Sequence, residues 1–108
     1  MTFRVNNQQW QVLFVNPSNN NLKRSDGSIT IGMTDNNTKT IYINNRLNDY
    51  MIDKCLAHEL CHVFAFEFDY YMPIETEEIV ADFISLYGRD IIYLLDDLMN
   101  ILKKAYIA

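Results

Sequence analysis

The stretch "CLAHELCHVF", residues 55–64, decides how the rest of the chain is read. It holds the only two histidines of the 108 residues, His58 and His62, four apart and with Glu59 beside the first. On an α-helix, residues four apart stand one above the other on the same face. Both imidazoles can therefore aim a nitrogen at one point, and Glu59 projects beside that point. Two neutral nitrogen donors with a carboxylate alongside is the arrangement a hydrolytic zinc needs. Dealt at random along a chain of this composition, the pattern would arise in roughly one arrangement in a thousand. A lone histidine on an apolar helix is ordinarily a satisfied core residue; this pair, with its glutamate, reads as a metal site.

A catalytic zinc takes three protein ligands and leaves a fourth position to water. There is no third histidine, and Cys55 lies one turn before His58 on the same helix, so a carboxylate must serve. The stretch "ETEEIVADF", residues 75–83, offers Glu78 and Asp82, again four apart on one helix face. With Glu78 as ligand, Asp82 can accept the outer N–H of a ligand histidine and fix its tautomer. The reverse assignment, Asp82 as ligand with Glu78 behind it, is the alternative. Glu75 and Glu77 fit less well, because the residues four on are Ile79 and Ala81. Those two glutamates read as an acidic first turn favoured by the helix dipole. That does not account for an aspartate in mid-helix among Val80, Ala81 and Phe83.

Working outward, "TFRV" and "QWQVLFV" read as two strands around an "NNQ" turn,. "NPSNNNLKRSDG" is a polar loop of turn formers. "SITIGMT" and "TKTIYIN" read as a hairpin across "DNN", with the first strand at Ser28 to Met33. After Asn44 the period changes to that of a helix. The motif helix is expected over about 48–68, with Asn48 or Asp49 as N-cap. "DYYMP" breaks it, and Pro73 opens a second helix over about 73–87 that stops at Gly88. A third helix over about 90–106 carries Ile91, Leu95, Leu98, Leu102 and Ala105 on one stripe, with Lys103 and Lys104 in its last turn. Strands first and helices after argue an α+β fold, 1–108 as a single domain: a small mixed or antiparallel sheet packed on the motif helix, then two C-terminal helices.

Composition narrows the partners. The net charge is −5, and nine acids against the single Arg89 lie between residues 67 and 97. Such a surface repels phosphate backbones, and no basic stripe exists to offset it, so nucleic acid is not expected as a partner. No membrane partner is expected either, since no apolar run approaches the length of a span. The N-terminal "MTFRVNNQQWQV" lacks a signal-peptide pattern. Cys55 and Cys61, six apart on one helix, point to roughly opposite sides and cannot bridge. Reduced thiols and a cytoplasmic location are the expectation.

These residues make the chain resemble a zincin metallopeptidase of gluzincin type. HELCH, residues 58–62, and "EEIVADF", residues 77–83, are similar to the small ImmA/IrrE-like or SprT-like zinc peptidases of bacteria, phages and mobile elements. The resemblance spans roughly residues 39–90. It implies one zinc ion on His58, His62 and Glu78, Glu59 as general base and Asp82 behind a ligand histidine. It also implies an edge strand that holds a peptide by strand addition, placed at Ile29, Thr30, Ile31 and Gly32. There Gly32 would let another backbone come close. Relatives often carry Gly or Ala where this chain has Cys61, so Cys61 reads as a packing residue, and Cys55 as a buried small one. Many gluzincins use a downstream His or Tyr to stabilise the oxyanion; Tyr70, Tyr71 and Tyr87 are the candidates.

The expected function is zinc-dependent endopeptidase action on a peptide or protein, with a regulatory protein such as a repressor as the target the likeness implies. The alternative from another class is a zinc-stabilised binding or regulatory module without turnover. The third helix is expected to complete the core, or to meet a second copy or a host protein.

Overall fold

The computed structural model describes residues 1–106, which form four strands followed by two helices. Strand β1 (Thr2–Val5) and strand β2 (Gln8–Val15) pair antiparallel through a two-residue turn. Asn6 and Asn7 occupy that turn with φ of 50° and 64°. Two successive positive φ values are what a tight hairpin turn of this hand requires, and Asn tolerates them. Strand β3 (Gly32–Asp35) pairs antiparallel with strand β4 (Thr40–Asn44), and β4 runs parallel to β2. The strand order is β1-β2-β4-β3, a mixed sheet with β3 on one edge.

Helix α1 (Asp49–Glu67) begins as the sequence indicates: the Asn48 side chain accepts from the Met51 N–H,. It ends at Phe68, followed by Asp69 at φ 51°. There Tyr70 N–H bonds to Ala65 carbonyl and Asp69 N–H to Phe66 carbonyl. This double closure satisfies two carbonyls that the helix end would otherwise orphan.

The apolar face of α1 packs on the sheet. Trp10, Val12, Ile41 and Ile43 meet Cys55 and Val63 in one buried cluster. Glu67 ties the end of α1 to both hairpin turns. Its Oε1 accepts from Lys39 Nζ at 2.6 Å and Trp10 Nε1 at 3.1 Å, and its carbonyl accepts from Asn6 Nδ2 at 2.8 Å.

The structure corrects two expectations. The first strand of the second hairpin does not run Ser28 to Met33. Leu22, fully buried, pins a short 3₁₀ turn (Asn20–Leu22), and Thr30 N–H bonds back to the Leu22 carbonyl. The chain thus spends residues 23–30 on a closed loop, with only a Lys23–Ile29 bridge, before joining the sheet at Gly32. Nor are there two helices after the break. Helix α2 runs unbroken from Ile74 to Tyr106, 33 residues. Gly88 lies inside it, sharing a cleft with Asp53 and Ala57 of α1. A mid-helix glycine costs only about 1 kcal/mol, too little by itself to end a helix of this length.

Candidate metal centre

The centre is built where α1 and α2 cross. The two ring nitrogens His58 Nε2 and His62 Nε2 lie 3.3 Å apart. The Glu78 carboxylate reaches both: Oε2 is 3.2 Å from His58 Nε2, and Oε1 is 2.9 Å from His62 Nε2. One donor atom from each of these three residues lies within 4.8 Å of the others.

Each histidine turns its other nitrogen to a carboxylate. His58 Nδ1 lies 2.8 Å from Asp82 Oδ1, the partner the ExxxD spacing indicates. His62 Nδ1 lies 2.5 Å from Glu77 Oε2. Glu77 is buried, at 8% exposure, and does not belong to a solvated first turn as the sequence reading had it. A signal for it existed: two ligand histidines need two outer acceptors, and Asp82 supplies only one. Glu75 remains exposed at the start of α2, as expected of an acidic first turn.

This donor set fits a zinc ion. With each Nδ1 facing a carboxylate, the proton of a neutral imidazole belongs on Nδ1, which leaves a lone pair on each Nε2. Two lone pairs and a carboxylate then converge with no donor among them, an arrangement that a cation resolves. The spacing agrees as well. Two nitrogens each 2.0–2.1 Å from a tetrahedral zinc stand about 3.3 Å apart.

Glu59 stands outside the converging set, its Oε2 3.9 Å from His58 Nε2. The residue is 7% exposed. Its other oxygen, Oε1, accepts from the Thr34 hydroxyl at 2.9 Å. That hydroxyl also lies 3.2 Å from the Glu59 carbonyl. Burial raises the Glu59 carboxyl above its ordinary pKa; the Thr34 hydrogen bond and the two histidines pull it back down,. Thr34 is a position the sequence did not single out.

The cleft over the centre is lined by β3, by His58, Glu59 and His62 of α1, by Glu77 and Glu78 of α2, and by Arg24 and Thr30 of the closed loop. Of the four residues expected to form the edge strand, Gly32 lies in β3, while Ile29, Thr30 and Ile31 precede it. Gly32 has a packing role on the face of the sheet. A Cβ there would stand 2.4 Å from Cys55 Sγ and 3.3 Å from Glu59 Cγ, so the missing side chain makes room for α1.

Cys55 is buried and Cys61 half-buried, both as free thiols. Tyr70 and Tyr71 line an adjoining hollow that shares Phe66, Ile74 and Glu77 with the cleft, and Tyr87 packs against Phe83 at 5.3 Å between ring centroids. Arg24 also lines the cleft, its Nη2 3.4 Å from the Thr30 hydroxyl.

The model of one protein family, the IrrE N-terminal-like domain (Peptidase_M78), matches residues 5–94. No curated protein and no solved structure matches the chain significantly.

Proposed function

The chain belongs to the IrrE N-terminal-like family of peptidases, and from that footing we propose a zinc-dependent endopeptidase in which His58, His62 and Glu78 hold the metal and Glu59 is the general base. The observation that carries this reading is the asymmetry of the centre. Among the described residues three side chains converge on one point, while Glu59 stands beside them with its outer oxygen free of any hydrogen bond to Thr34. A structural zinc is typically closed by four protein ligands and has no use for a base alongside. The reading as a binding module without turnover is therefore the weaker one.

Zinc bound there supplies a Lewis acid that acidifies water and polarises a carbonyl. The protein's own groups divide the rest of the work. Asp82 and Glu77 hold the two imidazoles in the Nδ1–H tautomer and fix their ring planes,. Glu59 takes a proton on Oε2 from the attacking water and returns it to the leaving amine. Thr34 holds Oε1 and so sets the direction of Oε2.

The free edge of β3 suits an extended peptide laid alongside as an added strand,. Arg24 brings a positive charge to the cleft for the oxygen that gains negative charge on attack,. A regulatory protein such as a repressor is the substrate class we infer from the family likeness.

The test pairs elemental mass spectrometry with peptide cleavage. The parent is expected to carry one zinc. Glu78→Ala should lose it, and Glu59→Gln should keep it while losing cleavage. Cleavage unchanged in Glu59→Gln would refute the mechanism.

A further inference from the structure

From Arg89 to Ala105 every residue of α2 is exposed. The last side-chain hydrogen bond between α2 and the rest of the domain, among the described residues, is Arg89 to Asp53 at 2.8 Å. Beyond it the helix continues alone, which makes the molecule 56 Å long against 31 and 27 Å in its other dimensions. A solitary helix of this length is marginal in water. This one is also strongly apolar on one side. Ile91, Leu94, Leu98 and Ile101 recur at alternating three- and four-residue steps, with Leu95 and Leu102 beside them. That spacing is the seam of a coiled coil. All six are between 46% and 62% exposed.

We propose that this half of α2 is the interface of a homodimer, the two helices packed antiparallel about Asp97. Charge selects both the partner and the direction. Asp90, Asp97 and Lys104 fall at seven-residue steps along the rim of the stripe. A parallel pair would set Asp90 and Asp97 of each helix beside Leu95 and Leu102 of the other, leaving both carboxylates without a partner,. An antiparallel pair centred on Asp97 sets Asp90 of each copy opposite Lys104 of the other, twice by symmetry. Its cost is one like-charge contact between the two Asp97 carboxylates at the axis.

The area agrees with a second copy. A half-exposed Leu or Ile offers on the order of 80 Å² of apolar surface, so the six come to about 500 Å² in each helix. The stems of the rim residues bring the pair near the ~1,200 Å² at which specific interfaces begin.

Sedimentation equilibrium on the full chain tests this. The parent is expected to be a dimer. Leu98→Glu should be monomeric with its zinc content unchanged, since Leu98 lies beyond the last side-chain hydrogen bond between α2 and the rest of the domain. Lys104→Glu should raise the dimer Kd roughly fivefold, and combining it with Asp90→Lys should restore the parent value. Asp97→Asn should lower the Kd by relieving the axial repulsion. A parent that remains monomeric at about 100 μM overturns the proposal. A dimer indifferent to Lys104→Glu overturns the antiparallel register.

Discussion

Glu77 and Glu78, adjacent in the chain, take opposite edges of the same imidazole. Glu77 Oε2 lies 2.5 Å from His62 Nδ1 and Glu78 Oε1 lies 2.9 Å from His62 Nε2. Successive residues of a helix diverge by about 100°, so two long side chains leaving α2 side by side can straddle a ring presented by α1. Asp82, one turn further along, does for His58 what Glu77 does for His62.

The carboxylate behind His62 is expected to matter for affinity more than for chemistry. Glu77→Gln keeps the size but offers a weaker, uncharged acceptor to Nδ1–H. Partners of this kind are typically worth 10–100-fold in metal affinity, and Glu77→Gln should weaken zinc binding by about that factor. Competition against a chromophoric chelator reads it directly. Asp82→Asn should do less, because Asp82 is far more exposed than Glu77, at 70% against 11% of the side chain. Equal losses in the two variants would argue against the difference in burial as the deciding factor.

On the proposed mechanism Thr34 acts through Glu59 and not on substrate directly. Thr34→Val keeps the shape and removes the hydroxyl that fixes Oε1. A misdirected general base costs part of the 10²–10⁴-fold that proton transfer contributes. The expected outcome is a kcat about tenfold lower, with KM and zinc content close to the parent values. Thr34→Ser, which retains the hydroxyl, should recover most of the rate. A rise in KM alone would place Thr34 in peptide binding instead.

Glu67 gives the fold a dependence on pH. Its carboxyl is held below the ordinary pKa, chiefly by the hydrogen bond from Lys39 and also by that from Trp10. A carboxylate whose pKa is lower in the folded state stabilises the fold above its unfolded pKa of about 4.3, and that contribution fades as pH falls through the folded value. Glu67→Gln removes the charge and keeps an acceptor for Trp10. Its melting temperature should lie below the parent's at neutral pH, and the two should converge in acid. A gap that persists below about pH 2 would mean that shape, not charge, is what Glu67 contributes.

Half of this centre was legible from spacing alone. His58, His62, Glu78 and Asp82 lie on helix faces whose four-residue period is fixed by backbone geometry, so their alignment needs no knowledge of how the helices cross. Glu77, Thr34 and Arg24 come to the site only through the crossing of α2 over α1, the edge position of β3 and the closure of the 23–30 loop. None of those has a local signature. The two misplaced boundaries differ in cause. A lone glycine costs too little to stop the helix that continues through Gly88,, whereas buried Leu22 draws Thr30 away from the strand that "SITI" indicates.

Gly32 and Cys55 form a complementary pair where β3 packs on α1. A Cβ at Gly32 would meet Cys55 Sγ at 2.4 Å, a separation that real Cβ atoms essentially never show. Cys55 is buried beside Glu59, and that environment pushes its thiol up to about 12. It is therefore expected to stay unreactive towards disulfide reagents in the folded protein at neutral pH. Gly32→Ala should destabilise by about 1–3 kcal/mol, the usual cost of overpacking a filled site. Cys55→Ala alone leaves a small void and should cost about 1 kcal/mol. The double variant fits the new methyl into the space the sulfur vacates, so its loss should be smaller than that of Gly32→Ala alone. Urea unfolding of the four proteins closes the cycle. Strictly additive losses would show that the methyl at position 32 is resisted by Glu59 and the strand, not by the thiol.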